Sequence, residues 1–501
     1  MGGVFSRRVF LGGLASSVGS VAFAETPTVS LRPTARPPKP LSTRDLADIP
    51  GSDEIIRKAA LNGKVSFAVA DLKTGRILES RSGARALPPA SVAKALTALY
   101  ALDTLGASFR FSTQLLTRGP LENGILSGDL VLAGGGDPTL QTNDLAAMAK
   151  SLKESGLREL RGKFLIWEGA LPYQHQIDSG QPSHVGYNPS VSGLNLNFNR
   201  VYFEWKPAAG DYSVTLDARS DRYRPNVRST RMRIVDQSFP VYTYTEKPGV
   251  DHWTVARKAL GKGGGRWLPT RQPAHYAAEV FDTFARSHGI KLPAPEIAKV
   301  KPSGQVIAQH LSQPLSVIVT DMLKYSTNIT AEVLGLTATQ RLDVNASTLR
   351  DSAQAMSRWA EEKYGITGFS LIDHSGLGDG SRLTPYALLQ TLVSVRQSSV
   401  LYDVLKTIPM RNAEGGPNPD HHIKVKAKTG TLNFVSSLAG YAISDLGTEH
   451  AFVILSADLE RRAAIPKEER ERPKGARGWS RRSRRMQQQL IERWGAVYRG
   501  V

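Results

Sequence analysis

The sequence predicts an α/β (α+β) fold. One antiparallel sheet, built from both ends of the chain, is flanked by helices and interrupted by a large α/β insertion. Three observations carry this expectation. Two strand candidates stand near the front and three near the back. From about residue 302 to 395 the chain reads as helix after helix. Between them, residues 113–301 alternate strands, Gly-rich loops and helices. Distant strands that share helical neighbours pack most economically as one sheet, with the intervening segment as an excursion. At 501 residues the chain is also long for a single core.

The front end reads as an export signal. Residues 1–24, "MGGVFSRRVFLGGLASSVGSVAFA", have a charged front, a weakly apolar middle and a small-x-small end at Ala22-Phe23-Ala24. Arg7 and Arg8, followed by Phe10-Leu11, give it twin-arginine form. The other reading is an ordinary Sec signal that happens to carry two arginines. Cleavage after Ala24 leaves a periplasmic protein. Residues 25–48 are Pro-rich and aromatic-free and read as an extended linker.

The elements follow in order. "VSFAVADLKTGRILESRSG" is a strand, a turn at Lys73-Thr74-Gly75 and a second strand. "PPASVAKALTALYAL" opens an apolar helix after two prolines. Inside the insertion, "RVYFEWKP", "YSVTLDAR" and "STRMRIV" read as strands, and "DLAAMAKSLKESGLREL" and "HYAAEVFDTFARSHGI" as helices. "GGGDP" and "GKGGGRW" lack the spacing of a phosphate-binding loop and are read as turns. Beyond 302 come the helical stretches "QPLSVIVTDMLKYSTNITAEVLGLTATQRL", "TLRDSAQAMSRWAEEKYGI" and "TPYALLQTLVSVRQ". The strands "HIKVKAKTGT", "SSLAGYAISDLG" and "EHAFVILSADL" close the pattern. Met486, Leu490, Trp494 and Val497 recur at helical spacing, for a last helix that either packs on the sheet or lies on a membrane surface. The expected organisation is therefore signal 1–24, linker 25–48, one domain from 49–112 plus 302–501, and an inserted domain at 113–301.

Charge narrows the partners. The formal net charge is +19. From Glu460 onward thirteen Lys/Arg stand against five Glu, a net of +8. The runs "RRSRR" and "KEERERPK" carry no interleaved aromatics, so nucleic acid is not expected. Peripheral contact with an anionic wall or membrane surface suits an exported protein better. There is no cysteine, which excludes disulfides and a thiol nucleophile. The histidines show no zinc-type spacing, and no metal or other cofactor is expected.

The chemistry starts at Ser91 and Lys94. Three residues apart on a helix, their side chains share a face. Near a helix N-terminus the Ser91 N–H is free of the helical ladder. One turn then supplies a hydroxyl, an amine and an oxyanion donor. A lysine amine acts as a base only when burial or neighbouring positive charge lowers its pKa. The bland reading is Ser91 as a helix cap and Lys94 as a solvated lysine. "YSTNI" places Ser326 and Asn328 at a junction between two helical stretches, where Asn328 as a plain cap is the alternative. "VKAKTGT" places Lys428, Thr429, Gly430 and Thr431 at the end of an alternating strand. Lys73-Thr74-Gly75 repeats that tripeptide in a hairpin and is read as turn chemistry alone.

Ser-x-x-Lys, Ser-x-Asn and Lys-Thr-Gly, in that order, resemble the motif set of serine β-lactamases and penicillin-binding proteins. Ser91 and Ser326 are 235 residues apart, a gap similar to that of the low-molecular-mass class C penicillin-binding proteins, the D-alanyl-D-alanine carboxypeptidase/endopeptidases. "GGGDPTL", "SGLNLNFN" and "DHSGLGDGSRLTP" resemble segments of the same family. The family usually has Asp between the serine and asparagine of the second motif; here that position is Thr327.

The resemblance implies a penicillin-binding/β-lactamase-like domain with a helical subdomain. It implies peptidoglycan peptides as substrate and β-lactam antibiotics as inhibitors. Ser91 would attack the carbonyl between two D-alanines, and Lys94 would take its proton. Ser326, helped by Lys428, would pass a proton to the leaving amine. Asn328 would bind the substrate amide, and Lys428 and Thr429 the terminal carboxylate. Gly430 belongs to the same binding strand, and the N–H groups of Ser91 and Thr431 would form the oxyanion hole. Rival readings are a β-lactamase or esterase on the same scaffold, or an inactive penicillin-binding-like wall protein. Asp373, His374 and Ser375 are read as a turn near the active site, with a second hydrolytic site as the alternative.

Overall fold

The computed structural model describes residues 48–397, 400–412 and 414–499. The signal at 1–24 and all but the last residue of the linker at 25–48 lie outside the described residues.

The sheet draws on both ends of the chain, as expected. A short helix α1 (Ser52–Lys58) leads into strands β1 (Lys64–Asp71) and β2 (Ile77–Arg81), and then into helix α2 (Ala93–Leu105). After the insertion come helices α3 (Leu315–Tyr325), α4 (Asn328–Arg341), α5 (Leu349–Tyr364) and α6 (Pro385–Val395). Strands β3 (Thr407–Ile408), β4 (Lys424–Leu432), β5 (Val435–Ile443) and β6 (Glu449–Ala457) precede the long helix α7 (Ala476–Val497). The sheet order is β3-β4-β5-β6-β1-β2, and every pairing is antiparallel. The short β3 was not foreseen; two residues carry no readable period.

The sheet separates two apolar layers. Phe67 and Val69 of β1, Phe452 and Ile454 of β6, and Met486, Leu490 and Trp494 of α7 pack on one face. The rings of Phe67 and Trp494 lie 5.5 Å apart. Ala68 and Ala70 point the other way, into a core with Leu96 and Leu99 of α2 and Leu388 and Leu392 of α6. Helix α7 therefore packs on the sheet. A fully buried side chain of this size contributes about 1.5–3 kcal/mol, so the apolar stripe of α7 holds it down despite its charge. Burial on both sides also explains why β1 is buried at every position after Lys64, with the apolar run Phe67-Ala68-Val69-Ala70 at its centre.

The insertion has its own core. Strands Pro295–Ile297, Phe164–Trp167, Asp129–Ala133, Ser112–Arg118 and Gln305–Leu311 form one five-stranded sheet, covered by helices Thr142–Glu154 and Pro273–Ser287. Two three-stranded sheets follow, one from Arg200–Ala208, Asp211–Asp217 and Gly264–Pro269, the other from Thr230–Val235, Tyr242–Lys247 and Val250–Ala256. Gln305–Leu311 falls beyond the expected boundary at 301 but pairs with Ser112–Arg118, at the other end of the insertion. Entry and exit are tied together where Phe111 N–H donates to Ser312 Oγ at 2.9 Å. "GGGDP" is a loop where backbones cross closely. A Cβ on Gly134 would lie 2.4 Å from Gly193 O, and one on Gly135 2.1 Å from Ser112 O. The other glycine run departs from the turn expectation, because Gly264 and Gly265 begin a strand.

Candidate active site

Ser91 sits in a 3-10 turn, Ala90–Val92, that runs directly into α2. Lys94 lies in the first turn of α2 and is fully buried. Its Nζ donates to Ser91 Oγ at 3.1 Å, to Asn328 Oδ1 at 2.8 Å and to the Ser375 carbonyl at 2.8 Å. A solvated lysine is thereby ruled out. Burial pulls its amine down to about 8, against the charges of Glu332 and Asp373, which push it up.

The long helical stretch after residue 314 breaks at Ser326, which takes left-handed backbone angles (φ 60°, ψ 39°) between α3 and α4. Thr327 occupies the cap position of α4 without a side-chain capping bond. Asn328 is thus freed from capping: its Oδ1 accepts from Lys94, and its Nδ2 donates to the Tyr187 carbonyl at 2.9 Å. Lys428, on β4, donates to Ser326 Oγ at 2.9 Å and to the Thr429 carbonyl at 2.9 Å. Burial, with the nearby charges of Lys94 and Lys406, lowers its amine to about 6.

Strand β4 passes Ser91 with an open edge. Its outer neighbour β3 pairs only with Val425 and Lys426, and Ala427 N–H is taken by the Lys406 carbonyl. Along a strand, N–H groups two residues apart point the same way. The N–H groups of Thr429 and Thr431 therefore face the unpaired edge. Gly430 is where the strand crosses the Ser91 turn: a Cβ there would lie 2.7 Å from Pro89 O and 3.1 Å from Ser91 N. The structure thus brings the eight expected residues together, the other seven around Ser91. Lys73-Thr74-Gly75 lies away from them, in a turn held by Thr74 N–H to Asp71 Oδ1 at 2.7 Å.

Sequence reasoning missed what supports the lysine. Glu332, four residues after Asn328 on α4, is fully buried. Its Oε2 accepts from His374 N–H at 2.9 Å and lies 3.0 Å from His374 Nδ1, and its Oε1 accepts from Ser375 N–H at 2.9 Å. Burial raises its pKa, yet these bonds and the imidazole hold it below the usual carboxylate range. Asp373, buried beside that charge, is pushed up to about 6 and accepts from Gly376 N–H at 2.8 Å. With His374 fully buried and held on its other nitrogen by Ser352, this segment is the expected turn and no second site. It holds the Ser375 carbonyl 2.8 Å from Lys94 Nζ. The one available signal was a glutamate inside the otherwise apolar "ITAEVLGL".

Tyr187 was missed as well. It belongs to an irregular loop of the insertion that the buried Arg271 holds through the carbonyls of His175, Ser183 and Asn188. Ser91, Ser326, Asn328, Thr431 and Tyr187 line a cleft of about 1240 Å³. Among the described residues no group of three acidic or histidine side chains converges to hold a metal ion.

A model of the D-Ala-D-Ala carboxypeptidase 3 (S13) family matches residues 52–473, ending just before α7. A D-alanyl-D-alanine carboxypeptidase, DacB, of Haemophilus influenzae is 24% identical over 416 residues, 80% of this chain and 86% of that protein. A D-alanyl-D-alanine carboxypeptidase of an Actinomadura species is 27% identical over 443 residues, 81% of this chain and 80% of that protein. The fold is shared with penicillin-binding protein 4 of Haemophilus influenzae, crystallised with a β-lactam. That match has a TM-score of 0.67 at 21% identity and covers 84% of this chain and 98% of the other.

Proposed function

This chain belongs to the D-Ala-D-Ala carboxypeptidase 3 (S13) family, the low-molecular-mass class C penicillin-binding proteins, and from that premise we propose how it works, where and on what. It is a serine-type D-Ala-D-Ala carboxypeptidase that also cleaves peptide cross-links. It acts on peptidoglycan stem peptides in the periplasm, after export by a twin-arginine signal, and β-lactams trap it as acyl-enzymes.

Ser91 is the nucleophile. Neutral Lys94 takes its proton as Oγ attacks the carbonyl between two D-alanines. The N–H groups of Ser91 and Thr431 receive the developing oxyanion, often the largest electrostatic contribution to acyl transfer. Ser326, hydrogen-bonded to Lys428, passes a proton to the leaving amine. The C–N bond breaks, D-alanine departs, and water hydrolyses the ester on Ser91. Asn328 binds the peptide amide, and Lys428 and Thr429 hold the terminal carboxylate.

The observation that carries this reading is the contact of Lys94 Nζ with both Ser91 Oγ and Asn328 Oδ1. A buried amine lowered to about 8 has a usable neutral fraction near neutral pH. The test is digestion of purified monomeric and cross-linked muropeptides, read by mass. Loss of one D-alanine and conversion of dimers to monomers are expected, together with one penicilloyl adduct on the Ser91 peptide. Ser91→Ala should abolish all three. Turnover or labelling that survives in Ser91→Ala refutes the assignment.

A further inference from the structure

The cleft does not stop at the catalytic groups. Its far wall is α7, which contributes Arg477, Arg481, Arg484 and Arg485, with Arg411 from a neighbouring loop. These four helix positions follow i, i+4, i+7 and i+8, so they share one face. The opposite face, with Trp479, Met486, Leu490 and Trp494, is buried. No carboxylate among the described residues pairs with any of the four. The acidic residues in the lining are fewer. Glu471 is engaged by His184 and Arg266, Glu492 lies 3.8 Å from His421, and only Glu414 stands without an ion pair. Like charges one turn apart destabilise a helix, so an unpaired stripe of this kind is stabilised only when something anionic lies along it.

Its position names the occupant. Strand β4, which carries Lys428 and Thr431, ends in the Asn433–Phe434 turn, and the Phe434 ring packs edge-on against Trp479 of α7 at 6.2 Å. The start of α7 therefore lies beside the catalytic strand, and Arg477 and Arg481 share the cleft wall with Thr431. The cleft's 1240 Å³ exceeds the roughly 300–1,000 Å³ typical of a small-molecule pocket, which leaves room beyond a terminal dipeptide. We propose that the arginine face of α7 is a carboxylate-binding extension of the active site, holding a second, polycarboxylate peptide strand of a cross-linked substrate. This rests on the hydrolase reading above. It adds a specificity element outside the span matched by the family.

The test measures binding without turnover. A fluorescent cross-linked stem peptide is titrated against Ser91→Ala, and against Ser91→Ala carrying Arg481→Gln, Arg484→Gln and Arg485→Gln. The same peptide with its carboxylates amidated serves as the charge control, and Arg482→Gln, away from the cleft, as the protein control. Three exposed charge contacts removed together should weaken the acidic peptide about tenfold at low salt, and the difference should shrink as salt is added. The amidated peptide should bind both proteins alike. Equal affinity of the acidic peptide for both proteins overturns the proposal. So does loss of anionic phospholipid vesicle binding with peptide affinity unchanged, which would make the stripe a membrane contact. Penicillin acylation of the unaltered protein reports separately on the Ser91 chemistry.

Discussion

Lys94 Nζ donates to Asn328 Oδ1 at 2.8 Å, joining residues 234 positions apart in the chain. The bond aligns the amine with Ser91 and removes it from water. It also sets Asn328 beside Ser91, with its amide nitrogen anchored on the Tyr187 carbonyl.

The pH profile of acylation follows from that burial. The folded-state pKa of Lys94 is lowered to about 8, so the neutral, proton-accepting form grows as pH rises through that value. With a neutral thioester substrate, the acylation rate should climb with pH to half its maximum near 8. Glu332 raises the Lys94 pKa, so Glu332→Gln should move the midpoint to lower pH. It should also lower stability by about 3 kcal/mol, because buried N–H groups of His374 and Ser375 lose their charged acceptor. Stopped-flow acylation and thermal melts check both. A profile flat across this range removes Lys94 as the base.

Lys428 should fail differently from Lys94. Its amine is held at about 6, so it is largely neutral above that pH and must take up a proton to pair with a substrate carboxylate. Calorimetry in buffers of different ionisation enthalpy should show proton uptake when a carboxylate-ended ligand binds at neutral pH. Lys428→Ala should harm such substrates more than neutral esters, whereas Lys94→Ala should harm both. Equal losses on the two substrate types for Lys428→Ala would end its recognition role.

Gly430→Ala tests the crossing of strand and nucleophile turn. The added methyl would meet backbone at 2.7 Å from Pro89 O, which cannot move aside as a side-chain tip can. A displacement of about 1 Å between oxyanion donors and nucleophile is expected to cut acylation about 100-fold. Circular dichroism should remain that of a folded protein. Near-normal acylation would show that the strand need not approach so closely.

Export should depend on Arg7 and Arg8. Changing both to lysine keeps the n-region charge and so spares a Sec signal. A twin-arginine substrate would instead accumulate as precursor in the cytoplasm. The measurement is the ratio of precursor to a form beginning at Glu25 in separated fractions. Normal processing would return the signal to the Sec class and leave the Ser91 chemistry untouched.

Local pattern alone was enough to mark the proposed reacting groups and to predict the fold that carries them. Ser91 and Lys94 are legible because helix geometry places i and i+3 on one face. Lys428 to Thr431 are legible because alternation marks the strand whose end they form. The sheet from both chain ends followed from counting strands. Whatever depends on distant segments meeting had to wait for the folded chain. Glu332, His374 and Ser375 come together through packing between α4 and a loop, and no local period records that. The cap reading of Asn328 fell because Thr327 takes the cap position and Lys94 arrives from another helix. The arginines of α7 read as a basic region suited to an anionic wall or membrane surface until the fold laid their face along the cleft. Local spacing is written in the chain; desolvation and long-range contact, which set each pKa and aim each donor, exist only once the chain has closed on itself.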